Sequence, residues 1–291
     1  MNRRQFLHTT TATLIASQAA PLFALDADNA YRKNIGIQLY TLRNELAMDT
    51  PGTIKAVVDA GYKQGEMFNF PDCQPVIAAA KDSGLELHSS HFQWDSVTDP
   101  TKEGAKPFES IVERAKDVGL SHLVVPYLAD KERVTLDDYK RIAENCNKAA
   151  AVAKKAGIQL SYHNHSFEFE KKEGGKTGFE IFVAEFSEEM QFEIDVFWIR
   201  AGGHDPVEML KKLKGRVSQV HLKDLKDGLT LPMYGGLPND AFQELGDGII
   251  PMEPIIKAAG EVGVKICHVE QDQSPDPIAS IKQSMAYLKA L

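Results

Sequence analysis

Ser161-Tyr162-His163-Asn164-His165 and Val217-Ser218-Gln219-Val220-His221-Leu222-Lys223 decide how this chain is read. Each is a short run with apolar, β-branched or aromatic residues that finishes on imidazoles or an ammonium. Three more runs are built alike but for the last group: Phe192-Glu193-Ile194-Asp195 and Cys267-His268-Val269-Glu270 finish on carboxylates and, less strongly, Leu87-His88-Ser89-Ser90-His91 on an imidazole. Side chains alternate faces along a strand, so spacing sorts them. Ser161, His163 and His165 share a face, as do Glu193 and Asp195, then Gln219, His221 and Lys223, and finally His268, Glu270 and Asp272. A filled parallel barrel with a polar upper layer requires that single parity, the apolar parity turning to the surrounding helices. In such a barrel the strand C-terminal ends converge on one open mouth. Two carboxylates and two imidazoles delivered there are able to bind a divalent cation and leave room for a substrate.

Outward from these runs the chain alternates strand-like and helix-like segments from Ile35 onward. The strand candidates are Ile35–Tyr40, Gln64–Phe68, Leu85–His91, His122–Tyr127, Ile158–Asn164, Gln191–Val196, Val217–Lys223 and Val264–Glu270. The clearest helices, Lys106–Val118, Leu136–Ala156, Asp205–Leu213, Glu253–Val262 and Ile278–Leu291, carry apolar residues at three-and-four spacing. Pro206 and Pro254 stand where first-turn prolines are tolerated, and Gly84, Gly119, Gly157 and Gly263 where a helix hands over to a strand. Eight such units predict an α/β fold, a single (β/α)8 barrel domain over residues 31–291. The structural rival is a doubly wound open sheet, but no Gly-x-Gly-x-x-Gly turn follows any predicted strand. The long segment between Lys223 and Pro251, with Gly246-Asp247-Gly248, is expected to lie over the barrel mouth.

The 291 residues are 43% hydrophobic and 25% charged, ordinary for a globular protein. A formal charge of −8 opposes a nucleic-acid partner. Cys73, Cys146 and Cys267 match neither a zinc-ribbon pattern nor a disulfide framework, and Cys146 reads as core. Asn2-Arg3-Arg4-Gln5-Phe6-Leu7, followed by a mildly apolar run from Thr9 to Ala24, resembles a twin-arginine export signal over residues 1–24. That run is too short and too polar to span a membrane, so no membrane span is expected in the mature chain, which is placed in the periplasm or otherwise exported by this route. Twin-arginine export carries folded proteins, which suits one that loads a metal before leaving the cytoplasm.

Taken singly, a strand-end histidine is more often hydrogen-bonded structure than a ligand, and a strand-end acid is often a helix cap. Coincidence across four consecutive strands favours a site, because buried charges are costly without a metal or a partner. The same residues carry a resemblance. Gly36-Ile37-Gln38-Leu39-Tyr40-Thr41-Leu42-Arg43, Val125-Pro126-Tyr127-Leu128, Tyr162-His163-Asn164-His165-Ser166-Phe167-Glu168-Phe169, Glu193-Ile194-Asp195-Val196-Phe197-Trp198, His221-Leu222-Lys223-Asp224, Gly246-Asp247-Gly248 and Val269-Glu270-Gln271-Asp272 follow one another in this order. Together they resemble the sugar phosphate isomerase/epimerase superfamily, the xylose-isomerase-like barrels, in its Tyr-His-Asn-His branch.

The resemblance implies a divalent metal held by Asp195, His221 and Glu270, with His163 where epimerases have a glutamate. An N2O2 donor set admits manganese, cobalt, zinc or iron. Glu270, Lys223 and His165 are the implied catalytic candidates. Gln38, Glu66 and His91 are implied as substrate contacts, Trp198 as a ring for a sugar to stack on or as core, and Glu168 as a carboxylate orienting an imidazole. The implied activity is isomerisation or epimerisation of a sugar or keto-sugar through an enediolate. Loss of a β-leaving group would instead give a lyase or dehydratase acting on a 3-keto-glycoside or keto-cyclitol. A non-catalytic sugar-binding barrel and a DNA-repair endonuclease are the rivals from other classes, the second opposed by the acidic chain and the export signal. The implied partner is a small-molecule sugar or sugar derivative, for a monomer and a homo-oligomer alike.

Overall fold

A computed structural model describes residues 34–291, so the twin-arginine segment and the run to Ala24 lie outside the described residues. Among the described residues ten strands are formed: β1 Gly36–Gln38, β2 Gln64–Phe70, β3 Glu86–Phe92, β4 His122–Val125, β5 Gln159–His163, β6 Met190–Asp195, β7 Val217–Leu222, β8 Asp224–Leu225, β9 Phe242–Gln243 and β10 Cys267–Val269. Eight of them close into a barrel in the order β1-β10-β7-β6-β5-β4-β3-β2. Gly36 pairs in parallel with His268 on one side and with Gln64 on the other, which closes the ring and excludes the doubly wound sheet. The first strand is shorter than its sequence suggests. The Gln38 side chain accepts from the Tyr40 backbone N–H and starts a 3₁₀ turn over Leu39–Leu42.

The five periodic helices appear at Phe108–Val118, Leu136–Lys155, Pro206–Lys212, Met252–Glu261 and Pro277–Ala290. Their ends follow side-chain chemistry. Thr135 and Asp138 cap the longest helix reciprocally, each side chain taking the other's backbone N–H. Asp205 and Asp276 accept first-turn N–H groups ahead of Pro206 and Pro277. Gly84, Gly119, Gly157 and Gly263 all take the left-handed backbone expected of a helix-to-strand handover.

One parity of each strand packs outward against the helices: Leu123, Val125, Leu160, Tyr162, Ile194, Val220 and Leu222 are all buried there, and Cys146 meets them from its helix. The other parity faces the barrel axis, and here the protein departs from the usual filling of branched apolar side chains. Gln38, Glu66, Ser89, Glu193, Gln219, His221 and His268 are fully buried.

The segment after β7 is not a cover over the mouth. None of residues 224–250 lines the cavity there. Asp224 holds the segment at the rim: its carboxylate accepts the backbone N–H groups of Leu225, Gly246, Gly248 and Ile250 at 2.8–3.1 Å. β8 and β9 then form an antiparallel ribbon, and Phe242 stacks on Phe197 with ring centroids 4.6 Å apart. Gly248 is needed for this close approach, since a Cβ there would lie 2.3 Å from Asp224 Oδ1 and 2.4 Å from the Leu225 carbonyl oxygen.

Candidate active site

A cavity of about 420 Å3 opens at the C-terminal ends of the barrel strands. Its two halves differ in chemistry. His163, His165, Lys223, Glu270 and Asp272 come from the β5, β7 and β10 side, while Tyr40, Phe68, Phe92, Trp94 and Tyr127 form an aromatic wall from the β1–β4 side. Tyr40 meets Phe68 edge to face at 5.6 Å, and Trp94 meets Tyr127 likewise at 5.8 Å. Trp198 closes the polar half, its ring 5.0 Å from the His165 ring and 5.4 Å from Lys223 Nζ.

Beneath this half the four residues expected to share a cation come together. Donor atoms, one each from His163, Asp195, His221 and Glu270, lie within 4.8 Å of one another. His163 Nε2 is 3.3 Å from Asp195 Oδ2, which is 4.0 Å from His221 Nδ1, which is 3.0 Å from Glu270 Oε2. A cation with bonds of ~2.1 Å keeps neighbouring ligands ~3–3.5 Å apart and opposite ones ~4.2 Å, so separations of 3.0, 3.3 and 4.0 Å all fall within the reach of one divalent ion. Local structure aims each atom. Asp195 caps the helix Val196–Ala201, its Oδ1 accepting from the Phe197 and Trp198 N–H groups, which leaves Oδ2 toward the site. The other ring nitrogen of His163 lies 3.3 Å from the Pro126 carbonyl oxygen, where donation leaves Nε2 bare.

Lys223 is the counter-ion of this group. Its Nζ lies 2.7 Å from Glu270 Oε2, 3.0 Å from Asp195 Oδ2 and 3.1 Å from Asp272 Oδ2, with only 1% of the side chain exposed. Burial alone would lower the lysine pKa, but Asp195, Asp272 and Glu270 hold it well above the ordinary value. Burial would raise Glu270, and Lys223 with His221 overcomes this to hold it well below the carboxylate range. Asp272 goes the other way, burial outweighing Lys223 and pushing it up to about 7. His165 is driven well below the histidine range by burial, then by His163 and Lys223, so it is a neutral imidazole. Of the two acid/base candidates, Lys223 is therefore an ammonium and His165 an uncharged ring.

His91 and Trp198 line the cavity. Gln38 and Glu66 do not: both are fully buried under it, Gln38 Nε2 donating to Glu66 Oε1 at 2.7 Å. Register explains the difference. Glu66 pairs with Ser89, one layer below His91, because β2 runs on to Phe70. Glu168 orients no imidazole; it accepts from the Tyr162 hydroxyl at 2.6 Å and the His165 backbone N–H at 2.9 Å. Asp272 was without a role in the sequence, although it shares strand parity with Glu270. The aromatic wall sits on strand ends and the turns beyond them, where no periodic pattern announces it.

Residues 54–291 match the xylose isomerase-like TIM barrel family. The chain belongs to that family. Among xylose isomerase-like relatives, the inosose dehydratase of Clostridium perfringens is 27% identical over 268 residues, covering 79% of this chain and 86% of that one. A sugar phosphate isomerase/epimerase from Parabacteroides distasonis superposes with a TM-score of 0.72 at 28% identity, over 92% of this chain and 97% of that one. The IOLI protein with a bound zinc atom shares the barrel at a TM-score of 0.64 and 15% identity, over 88% and 95% of the two chains. No helix among the described residues is long and apolar enough to cross a membrane.

Proposed function

We propose that this xylose isomerase-like barrel is a divalent-metal-dependent lyase or dehydratase acting on a keto-sugar or keto-cyclitol. One observation carries the choice of lyase over epimerase: the acid/base equipment of the cavity is asymmetric. Epimerisation through two glutamates needs a matched carboxylate on each face of the substrate, and the fifth-strand position holds His163 instead. What the cavity offers is an ammonium, Lys223, and a neutral imidazole, His165, both set against the Trp198 ring. The inosose dehydratase relatives point the same way.

Asp195, His221 and Glu270, with His163, would hold the cation. When bound, it supplies Lewis-acid polarisation of a substrate carbonyl. His165 takes the proton from the carbon beside the carbonyl, the electron pair left behind forms the new C=C bond, and the β-substituent leaves with its bonding pair. Lys223 gives that leaving oxygen a proton, and Asp272, which lies outside the metal group, keeps the ammonium aimed. Trp198 and the facing aromatic wall supply apolar surface for a ring and exclude water.

The test is metal-loaded protein offered inososes, 3-keto-glycosides and free ketoses in deuterium oxide. Release of water or an aglycone is expected. Deuterium entering a substrate carbon with no bond cleaved would establish epimerisation instead, and neither outcome across the panel would leave a sugar-binding barrel. We also propose that the Arg3-Arg4 segment directs export and is removed near Ala24; native protein that retains Met1 would refute this.

A further inference from the structure

Ionised carboxylates are rarely placed in the middle of a barrel, because each must be compensated after losing all its water. This barrel holds two, Glu66 from β2 and Glu193 from β6, and both are fully buried. Their partners are almost all donors from other strands. Glu66 accepts from Gln38 Nε2 at 2.7 Å, from Gln219 Nε2 at 2.8 Å and from the Ser89 hydroxyl. Glu193 accepts from the same Gln219 amide at 2.6 Å and faces His91 Nε2 at 2.8 Å. One point is common to both. His221 Nε2 lies 2.7 Å from Glu66 Oε1 and 3.1 Å from Glu193 Oε1.

His221 is thus gripped from below by two carboxylates while its Nδ1 faces Asp195 and Glu270 above. A neutral imidazole carries its proton on one nitrogen and a bare lone pair on the other, and the hydrogen bond made by the first decides which nitrogen ligates. The space under the ring is shaped to keep this arrangement. Gly36 leaves room for the neighbouring His268, since a Cβ there would lie 2.6 Å from His268 Cδ2.

We propose that Glu66 and Glu193 are positioning residues that hold the Nε2–H of His221, fix Nδ1 as the nitrogen offered to the cation, and thereby set the metal affinity of the site. The inference rests on the metal-site reading above. It accounts for two buried carboxylates that touch neither the cavity nor the cation. It also compensates for His163, a neutral ligand where a carboxylate would add charge: pull on the Nε2 proton makes the opposite nitrogen a stronger donor.

The experiment titrates metal-free wild type, Glu66→Gln and Glu193→Gln with zinc by calorimetry, and melts the metal-free proteins in parallel. The wild type should bind one ion per chain, and each folded variant ~10–100-fold more weakly, a loss typical of carboxylates behind a ligating histidine. A purely structural role would lower the melting temperature and leave zinc affinity unchanged, and that result overturns the proposal. A second measurement needs no variant: 15N-histidine NMR of the zinc-loaded wild type should show His221 protonated on Nε2. Deprotonated Nε2, or two ions per chain, would overturn the proposal, because Glu66, Glu193, His221 and His268 would then be ligands of a lower cation; those four also lie within 4.8 Å of one another. A wild type that binds no zinc removes the metal reading itself, whereas equal affinities remove only the role given to Glu66 and Glu193.

Discussion

Lys223→Met separates the two cations that compete for one pair of oxygens. The ammonium contacts Glu270 Oε2 at 2.7 Å and Asp195 Oδ2 at 3.0 Å, the same atoms that complete the candidate metal group. In metal-free protein the substitution leaves three carboxylates, Asp195, Glu270 and Asp272, with no ammonium among them. Removing one partner of a buried ion pair costs ~3–5 kcal/mol. For a chain of this size that is a fall of ~10 °C in melting temperature. Metal binding should change in the opposite direction. An ammonium ~4 Å from a dication is repelled by ~8 kcal/mol at an effective dielectric constant of ~20, and retreat to ~6 Å beside Asp272 relieves only about a third. Even a quarter of that repulsion, ~2 kcal/mol, is a ~30-fold tighter Kd once the lysine is gone. The expected pattern is a metal-free Lys223→Met protein that melts early, regains the wild-type melting temperature on adding zinc or manganese, and binds the ion more tightly by calorimetry. Turnover should be lost, because the leaving oxygen has no proton donor. A variant that melts with the wild type and binds metal no better would refute the placement of the ammonium on the cation's oxygens.

Three further outcomes follow from the same geometry. Burial outweighs the hydrogen bonds from Tyr162 and the backbone to hold Glu168 up at about 8, so the native state keeps a proton that the unfolded chain gives up near 4.5. The stability this contributes is full below ~4.5 and is lost as pH rises through ~8, with a slope of up to ~1.4 kcal/mol per pH unit. Glu168→Gln should flatten that fall, and chemical denaturation at pH 5, 7 and 9 checks it. Asp224→Ala unties four backbone N–H groups from one carboxylate. Because such bonds are strong but not additive, a loss of ~3–5 kcal/mol is expected, with early proteolysis between residues 226 and 250. His163→Glu restores the epimerase residue: bound metal should survive, checked by metal content, while elimination is impaired, checked by product release. Improved proton exchange with no elimination would favour the epimerase.

Much of the fold was legible because strand parity is a strict signal. Glu193 and Asp195, Gln219 and His221, His268 and Glu270 could only alternate as they do if one face of each strand were enclosed, and the barrel encloses it. The helices at Leu136–Lys155 and Pro277–Ala290 were legible from spacing and from Thr135 and Asp276 as caps. Depth was not legible. Parity says that Glu66 points inward, but its level depends on the stagger between β2 and β3, which sets it beside Ser89 rather than His91. The path of the chain after Lys223 was hidden for a related reason: length suggests a cover, while the rim position depends on one carboxylate meeting three N–H groups distant in sequence, those of Gly246, Gly248 and Ile250.

The alternation that marked a site in the sequence is therefore two polar layers, not one. His163 pairs with Glu193 and Asp195 with His221 in the strand register, so each step of two residues climbs one layer toward the mouth. Asp195, His221 and Glu270 meet in the upper layer beside Lys223, and Glu66, Glu193, Gln219 and His268 fill the lower. A barrel built only to bind a sugar has no need of charge in the lower layer, where apolar filling would be more stable. Charge there is useful when something above must be held in one tautomer and one orientation. His221 reaches both layers, with Nε2 against Glu66 and Glu193 below and Nδ1 against Asp195 and Glu270 above.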